Sequence, residues 1–456
     1  MSRLVVVSNR VALPGKPSAG GLAVALLAAL QETGGLWLGA SDKTVRVESG
    51  ETHQVVDGDI RYVTIDLNHV DHNAYYNGFA NRALWPLLHS RLDLVGYTRE
   101  TQAAYRQVNA LFADKLATLL RAKDVVWIHD YHLFPLAQEL RTRGIGNRIG
   151  FFLHVPLPSA DQIAALPDHQ SIFGALSAYD LVGFQTGRDL EHYQDYLRAY
   201  AGGKVHARGV LEDSSGRRFR AGAFPISIDT AGIAQLAAAS VRKPAVQRLR
   251  DSLSGRALAI GVDRLDYSKG LPERFQAFAR YLERHAEQRG KTTMLQIAPP
   301  SRSDVPEYQS LRRELEQVSG HINGGHAHPD WTPLRYVNRN YPHATLAGFY
   351  RMARVGLVTP LRDGMNLVAK EYVATQDAQD PGVLVLSRFA GAASELPEAL
   401  LVNPYDLDGV ADAIATAFAM PQSERRERWS AMQDTLQRHD ITAWRRSYLE
   451  ALMATS

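Results

Sequence analysis

The stretch ALAIGVDRLDYSKGLPERFQAF, residues 257–278, indicates the fold class most clearly. It begins with a short apolar run typical of a buried strand, Ala257–Val262. A polar loop follows, and then a segment whose apolar residues recur at helical spacing. A buried strand followed by a helix is the repeating unit of a parallel sheet covered by helices. This stretch therefore predicts an α/β fold in which the loop after the strand is a candidate for function.

The same pattern recurs on both sides of this stretch. Four predicted strands lie before residue 190 and four after residue 255: Leu4–Ser8, Val125–His129, Ile149–His154, Asp180–Gln185, Ala257–Val262, Met294–Ala298, Val355–Thr359 and Val383–Ser387. The segment between the two groups reads as a crossover, so we place a domain boundary near residue 235. We expect two doubly wound domains facing each other across a cleft, with ligands outside the carboxyl ends of the strands.

One segment has a different character. Gln54–Val56 and Ile60–Ile65 are β-prone runs separated by Asp57-Gly58-Asp59, a turn sequence that favours a hairpin. We expect this hairpin to decorate the first domain.

Composition limits the classes of function. The chain has 456 residues, and 51 Lys+Arg against 48 Asp+Glu gives a net charge of +3, which argues against a polybasic nucleic-acid binder. With no cysteine, disulfides, thiolate metal sites and cysteine nucleophiles are excluded. The longest apolar run, Leu22–Leu30, is far shorter than the roughly 20 residues of a spanning helix, and no small-residue cleavage site follows it. We expect a cytoplasmic protein that binds no membrane.

Cations cluster directly after the predicted strands. Arg10 ends the first strand, and the pair Gly20-Gly21 opens the next helix, where bare backbone amides can receive an anion. Arg264 and Lys269 lie in one strand-to-helix loop and could clamp a diphosphate, and Arg302 follows a neighbouring strand. The alternatives are a plain glycine turn and a solvated loop with an Arg–Asp pair.

Carboxylates and histidines also follow strands. Asp363 and Glu371 flank a helix start, and carboxylates accept hydrogen bonds from the hydroxyls of a sugar or ribose. In the first half of the chain, His129, Asp130 and His154 have similar positions, although helix capping is an equally good reading.

Several patterns imitate metal or phosphatase sites. Asp57-Gly58-Asp59 is explained by its turn, and Asp406-Leu407-Asp408 precedes a helix that an Asp would cap. The groups His69, Asp71, His72 and His326, His328 lie in polar loops without supporting carboxylates. We predict no metal site and no cofactor.

Taken together, these motifs resemble the trehalose-6-phosphate synthases, a family of retaining glucosyltransferases with two facing Rossmann-like domains of the GT-B type. The resemblance runs almost end to end. It is carried by residues 4–10, 18–22, 84–86, 127–133, 264–270 and 363–371, and the last two segments are the most specific. It implies an acceptor-binding domain, 1–235, completed by a C-terminal helix at 440–456, and a domain for the nucleotide sugar, 236–439.

The resemblance also implies donor contacts. Arg264 and Lys269 would hold the diphosphate of a nucleotide-glucose, and Gly20 and Gly21 would approach its phosphates. Glu371 would bind the ribose. The remaining donor-binding residues by this resemblance are Tyr341, Leu367, Val368, Ala369 and Lys370, with the backbone of Leu367 and Val368 reading the nucleotide.

On the acceptor side, the resemblance implies that glucose 6-phosphate is bound by Arg10, Tyr76, Trp85, Asp130 and Arg302. Trp85 and Val155 would shape the pocket and select the anomer. His154 and Asp363 would contact the transferred glucose, and with Arg264 and Lys269 they form the implied catalytic set. Ala40 departs from the pattern, because family members usually have Trp there.

The implied activity is synthesis of α,α-trehalose 6-phosphate from glucose 6-phosphate and a nucleotide-glucose. UDP-glucose is the expected donor. The leaving diphosphate would take the acceptor proton on the same face of the sugar, so the enzyme would act by positioning and charge stabilisation. Another phosphorylated acceptor, a regulatory subunit without activity, and a nucleotide-sugar epimerase are the alternatives. The expected partners are small-molecule substrates and further copies of the chain in a homo-oligomer.

Overall fold

The computed structural model describes residues 3–15, 21–302 and 305–455. The chain divides into two compact units. Unit 1 comprises Met1–Pro225 and Thr442–Ser456, and unit 2 comprises Ile226–Ile441. The division thus falls at Pro225/Ile226, whereas residue 235 lies inside the helix Thr230–Ser240. This division lies 10 residues before the expected boundary near residue 235.

Unit 1 contains a ten-stranded sheet in the order β3-β4-β2-β1-β5-β6-β7-β10-β9-β8. The seven strands from β4 to β10 in that order pair in parallel, and β3, β9 and β8 are added antiparallel. The strands are β1 Leu4–Arg10, β2 Gly35–Val45, β3 Thr52–Asp57, β4 Ile60–Asn68, β5 Val125–His129, β6 Arg148–Phe152, β7 Leu181–Phe184, β8 Lys204–Val205, β9 Val210–Glu212 and β10 Arg218–Ala223.

The helices of unit 1 connect these strands. They are α1 Gly21–Thr33, α2 His69–His72, a π-helix Asn73–Leu84, α3 Trp85–Leu88, α4 Arg99–Leu119, α5 Leu136–Thr142, α6 Ala160–Ala164, α7 His169–Phe173 and α8 Gly187–Tyr200. Short 3₁₀ turns lie at Leu92–Leu94, Tyr131–Leu133, Gly174–Ala178 and Ala207–Gly209.

Unit 2 contains a six-stranded sheet that is parallel throughout, in the order β13-β12-β11-β14-β15-β16. The strands are β11 Ala257–Val262, β12 Thr292–Ile297, β13 Leu334–Val337, β14 Val355–Val358, β15 Val383–Ser387 and β16 Leu400–Val402. The helices are α9 Thr230–Ser240, α10 Pro244–Leu253, α11 Leu271–Arg284, α12 Pro306–His326, α13 His343–Met352, α14 Leu367–Thr375, α15 Leu407–Ala419 and α16 Gln422–Arg438, with 3₁₀ turns at Tyr267–Lys269, Ala286–Gln288 and Gly391–Ser394.

Helices cover both faces of the unit 2 sheet, as a doubly wound fold requires. One apolar core lies under α11, α12 and α15 and contains Phe275, Leu315 and Ile414. A second core lies under α10, α13, α14 and α16 and contains Phe349 and Tyr372. Because both faces are buried, most residues of these strands are apolar.

All of the predicted strands are present, with ends shifted by a few residues. The hairpin prediction is also confirmed, since β3 pairs antiparallel with β4 across Asp57 and Ile60. The hairpin is more than a decoration, because β4 pairs in parallel with β2 and extends the main sheet. Within the described residues, no helix combines the length and the apolar character needed to cross a membrane.

A last helix, α17 Ile441–Met453, packs within unit 1. Tyr448 stacks on Trp127 with ring centroids 4.9 Å apart, and its hydroxyl donates to the Phe151 carbonyl at 2.8 Å. A Cβ on Gly150 or Gly183 would lie 2.6 Å from the Tyr448 side chain. Glycine at these strand positions therefore makes room for the helix.

In each sheet, the strand order reverses beside one strand. The chain runs outward from β1 to β2 and then returns to the other side of β1 with β5. It likewise runs from β11 to β12 and β13 and returns with β14. Loops diverge at such reversals and leave a crevice at the carboxyl ends of the strands. The candidate residues therefore follow β1 and β5 in unit 1 and β11 and β14 in unit 2.

Candidate active site

The centre of the unit 2 site is an ion pair between Lys269 and Asp363. Lys269 follows β11 and Asp363 follows β14, on the two sides of the strand reversal. The Lys269 Nζ donates to Asp363 Oδ2 at 2.5 Å, and the Asn366 Nδ2 donates to the same oxygen at 2.9 Å. The Lys269 and Asp363 side chains are 13% and 11% exposed, so the pair is shielded yet reachable. The fold thus brings together two predicted catalytic residues 94 positions apart.

The two loops that carry this pair are joined by their backbones. The Leu361 amide donates to the Ser268 carbonyl at 2.8 Å. Gly270 has a positive φ of 61°, and a Cβ there would lie 2.6 Å from the Thr359 carbonyl oxygen. A glycine is required both for the left-handed conformation and for this close approach.

Helix α14 begins beside Asp363. Asn366 adopts a left-handed conformation, and its Oδ1 accepts from the Ala369 amide at 3.1 Å, which caps the helix. The first amides of the helix, those of Leu367 and Val368, have no carbonyl to bind one turn earlier, so this end carries partial positive charge. The geometry suits the predicted backbone contacts to a nucleotide.

Glu371 lies on this helix, and Tyr341 precedes α13. Glu371 Oε1 lies 3.7 Å from His343 Nε2, and this neighbouring carboxylate raises the pKa of His343. Tyr341 accepts from the Arg339 Nη2 at 3.0 Å, and the Arg339 guanidinium lies over the Tyr341 ring at 5.1 Å.

Lys370, a predicted donor contact, has a buried side chain, and that contact stays a prediction. Its side chain is completely buried, and its Nζ donates to the Ile226 carbonyl at 2.7 Å and to Glu395 Oε2 at 2.5 Å. Burial lowers the pKa of this ammonium, while Glu395 opposes the change. The side chain points away from the helix start, so any donor contact at this position is through the backbone. Ala369 is likewise fully buried.

The two predicted arginines of unit 2 lie in different environments. The Arg264 side chain is exposed in the loop after β11. The Arg302 side chain is only 6% exposed, and its Nη1 donates to Asp266 Oδ2 at 3.1 Å and to the Tyr308 hydroxyl. Arg302 is therefore held in an ion pair within unit 2, and its acceptor contact stays a prediction.

In unit 1, Arg10 and Tyr76 come together. The Arg10 guanidinium lies over the Tyr76 ring at 5.1 Å, and Tyr76 stacks on His132 at 5.7 Å. Tyr76 lies on the π-helix Asn73–Leu84, a rare element that often marks functional sites. Ala40, the departure from the family pattern, is the register partner of Arg10 on β2 and is buried.

Asp130 and His154 meet at the ends of β5 and β6. Asp130 has a positive φ of 76°, and its Oδ1 accepts from the His154 amide at 3.3 Å. The His154 ring Nε2 lies 3.1 Å from the His129 Nδ1. Burial lowers the pKa of His154 to about 3, so the ring is neutral, and among the described residues its Nδ1 has no hydrogen-bond partner. This nitrogen can donate or accept one hydrogen bond with a sugar hydroxyl, according to the tautomer of the ring.

The remaining predicted site residues are the pocket residues Trp85 and Val155 and the glycine pair Gly20 and Gly21. Trp85 and Val155 are buried, and the Trp85 ring packs against His89 at 4.1 Å. Gly21 begins α1, whereas Gly20 lies outside the described residues.

Among the described residues, one histidine–carboxylate group is compact enough to hold an ion: Glu51, His53 and Asp66, on the hairpin. A hydrogen bond to Asp66 at 2.9 Å raises the pKa of His53. The two residues pair when His53 is protonated. The groups considered from the sequence have other partners: His69 pairs with Thr44, and Asp71 accepts from Ser49.

Sequence reasoning assigned no role to Asn366 or His343. Asn366 precedes a helix at capping position, a signal that the sequence carried. His343 lies in a different helix from Glu371, and no local pattern joins them.

The comparisons agree with this geometry. The model of Glycosyltransferase family 20 matches residues 4–454. A trehalose-6-phosphate synthase from Sinorhizobium fredii is 52% identical and covers 100% of this chain and 99% of its own. Among solved structures, a UDP-forming α,α-trehalose-phosphate synthase from Burkholderia xenovorans in complex with glucose-6-phosphate is similar at TM-score 0.97 and 48% identity, covering 99% of this chain and 100% of its own.

A structure described as trehalose-6-phosphate from E. coli bound with UDP-2-fluoro glucose is similar at TM-score 0.96 and 46% identity, covering 100% of both chains. These matches confirm an α/β fold with two parallel-sheet domains of the GT-B type, and they confirm the family resemblance noted in the motifs. The chain belongs to glycosyltransferase family 20.

Proposed function

We propose that the chain transfers glucose with retention from UDP-glucose to glucose 6-phosphate and forms α,α-trehalose 6-phosphate, the phosphorylated precursor in trehalose biosynthesis. The observation that carries this proposal is the Lys269–Asp363 pair, which stands beside the α14 N-terminus at the strand reversal of unit 2. The relatives support it, since their names give this activity and their structures carry glucose-6-phosphate and a UDP-sugar analogue.

The donor is bound in unit 2. Arg264 and Lys269 supply the positive charge for the diphosphate. The amides at the start of α14 face the nucleotide, and Glu371 accepts from the ribose hydroxyls. Asp363 accepts from a hydroxyl of the transferred glucose, because it is an ionised acceptor that Lys269 and Asn366 hold in place.

The acceptor is bound by residues of unit 1. Arg10 and Tyr76 form a cationic edge for the 6-phosphate. Asp130 accepts from sugar hydroxyls, and Trp85 and Val155 bound the pocket and select the anomer. His154 offers its free Nδ1 to the glucose that is transferred. Arg302 is the acceptor contact proposed from unit 2.

In the reaction, the bond between the anomeric carbon and the diphosphate oxygen breaks, and the acceptor hydroxyl oxygen bonds to that carbon on the same face. The acceptor proton passes to the leaving diphosphate. The charge that develops on this group is what Arg264 and Lys269 neutralise. No protein nucleophile is needed, and binding supplies the remaining acceleration by orientation.

We further propose that the protein acts as a homo-oligomer in the cytoplasm. A chain without cysteine has no thiol that an oxidising or reducing compartment would change. Light scattering on the purified protein measures the oligomeric state, and cell fractionation tests the location.

The activity test measures nucleotide release with UDP-, GDP- and ADP-glucose in turn, with and without glucose 6-phosphate, in the presence of EDTA. We expect UDP release that requires glucose 6-phosphate and survives the chelator. UDP release that requires a different phosphorylated sugar would identify that sugar as the acceptor. Conversion of the donor without any acceptor would favour an epimerase, and no turnover at all would favour a regulatory subunit.

A further inference from the structure

A single arginine that the sequence patterns did not single out lies beneath the donor site. Arg274, on α11, is 1% exposed, and it is among the largest fully buried side chains of the described residues. Its Nε donates to Thr359 Oγ1 at 2.9 Å, and its Nη1 donates to Asp263 Oδ2 at 2.6 Å and to Gln296 Oε1 at 2.9 Å. Its Nη2 donates to the Lys269 carbonyl at 3.3 Å.

These partners belong to three neighbouring strands. Asp263 follows β11, Gln296 lies near the end of β12, and Thr359 follows β14. One planar guanidinium therefore ties together the carboxyl ends of β12, β11 and β14. Its rigid fork of donors permits this in a way that a lysine ammonium does not.

The same group reaches the catalytic loops. It holds the backbone of Lys269 directly, and it holds Thr359, where the chain leaves β14 toward Asp363. The two loops are also joined to each other, since the Leu361 and Arg362 amides both donate to the Ser268 carbonyl. The separation of the Lys269 Nζ and the Asp363 carboxylate depends on backbones that Arg274 fixes.

Stability alone does not explain this arrangement. Burying a guanidinium and a carboxylate costs desolvation free energy, and well-packed apolar residues are often as stable or more so. Burial raises the pKa of the Asp263 carboxyl, and Arg274 opposes that change. What the network provides that an apolar core lacks is a fixed geometry for the polar ends of three strands.

We propose that Arg274 is a positioning residue for the Lys269–Asp363 pair and sets the place where this pair meets the donor. Arg274 does not touch the substrates. The inference rests on the proposed function, since it assumes that Lys269 stabilises the leaving diphosphate.

The test uses the full chain and two replacements. Arg274→Lys keeps a positive charge beside Asp263 but cannot bind all four partners at once. Arg274→Met with Asp263→Asn removes both charges, so no unpaired carboxylate is left buried. The matched control is Arg280→Met, on the same helix, whose side chain is 48% exposed and pairs with Asp408. For each variant, kcat, both KM values and the melting temperature are measured.

We expect both Arg274 replacements to lower kcat about 10- to 100-fold, the scale of a small misplacement of a catalytic group, with the KM for glucose 6-phosphate changed less than about twofold. The control keeps the wild-type kcat. In a Lys269→Ala background, Arg274→Lys should change kcat less than about threefold, because two residues that act through one contact are not additive.

An equal fold-loss in both backgrounds would overturn the inference, because Arg274 would then act independently of Lys269. A wild-type kcat in either replacement would overturn it as well. If neither replacement folds, Thr359→Val takes their place, since it removes one of the four hydrogen bonds of Arg274. Its kcat is measured in the wild-type and Lys269→Ala backgrounds, and an equal fold-loss in both would again overturn the inference. A wild-type chain that releases no UDP would instead contradict the proposed function, so the two failures are distinct.

Discussion

Two lysines show how residue chemistry depends on surroundings. Lys269 and Lys370 both lie in the motifs that carry the family resemblance, and both pair with a carboxylate. Lys269 is at a loop and partly accessible, so its charge can meet a ligand. Lys370 is completely buried and uses its hydrogen bonds on Ile226 and Glu395. The first is a catalytic candidate, and the second supports helix α14.

The first prediction concerns Lys269. We expect Lys269→Ala to lower kcat by roughly 10²–10³, the scale for removing one stabiliser of developing charge. UDP release measured at saturating substrates checks this. Lys291→Ala, at an exposed lysine before β12, is the control and should retain full activity. A kcat within about threefold of wild type would remove Lys269 from the mechanism, since it leaves less than about 1 kcal/mol for the contact.

The second prediction concerns the buried histidines of unit 1. Burial lowers the pKa of His154 to about 3, and burial together with His154 lowers the pKa of His129 well below its usual value. Below pH 6.5 the unfolded chain binds protons that the folded chain does not, so stability falls as pH falls. For His154 the loss continues to about pH 3, at up to about 1.4 kcal/mol per pH unit.

Urea denaturation at pH 7, 6 and 5 measures this dependence. His154→Asn should make the free energy of unfolding less dependent on pH than it is in the wild type. His439→Asn, at an exposed histidine, should leave the wild-type slope. An unchanged slope in His154→Asn would show that His154 is protonated equally in both states.

At the scale of elements, the most apolar strands and the β3–β4 hairpin were predictable, whereas the pairing of the other strands was not. The predicted strands are apolar because parallel strands are buried on both faces. β2 was missed because Gly35, Gly39 and a polar end, Ser41–Thr44, interrupt its pattern. The packing of α17 was implied only by the family resemblance, since no local pattern connects Tyr448 to Trp127.

The third prediction tests how α17 packs on the unit 1 sheet. Gly150→Ala places a Cβ 2.6 Å from the Tyr448 hydroxyl oxygen, so either the helix or the strand must shift. We expect a loss of about 1–3 kcal/mol in the free energy of unfolding, the usual cost of overpacking. Gly146→Ala is the matched control, because a Cβ there meets no atom within 4 Å. Equal stability of the two variants would contradict the close packing.

At the scale of the whole molecule, the chain builds unit 1 from two separate segments. Unit 2 is continuous from Ile226 to Ile441, and the chain then returns to unit 1. Hydrogen bonds as well as aromatic stacking hold this C-terminal segment on unit 1. The Trp444 Nε1 donates to the Phe224 carbonyl at 3.0 Å, and the Arg148 Nη2 donates to the Thr455 carbonyl at 2.6 Å. Completion of unit 1 therefore needs the end of the chain.

The fourth prediction follows from this connectivity. Deleting residues 441–456 should expose the Trp127 face of the sheet and lower the melting temperature by more than about 5 °C, the shift that a loss of about 2 kcal/mol produces in a large domain. Differential scanning calorimetry measures it. Arg446→Ala, at an exposed position of α17, keeps the buried face of the helix and should melt within a few degrees of the wild type. Equal melting of the truncated chain and this control would contradict the role of α17.

The amino-acid sequence determined the α/β class, the positions of most strands, the hairpin and the residue types at the strand ends, because burial periodicity and turn chemistry act over a few neighbouring residues. Its motifs also indicated the family. Only the tertiary structure decided that Lys269 meets Asp363, that Lys370 points inward, and that Arg274 joins three strand ends. These contacts join residues far apart in the chain, and strand order in the sheet, which no local pattern encodes, brings them together.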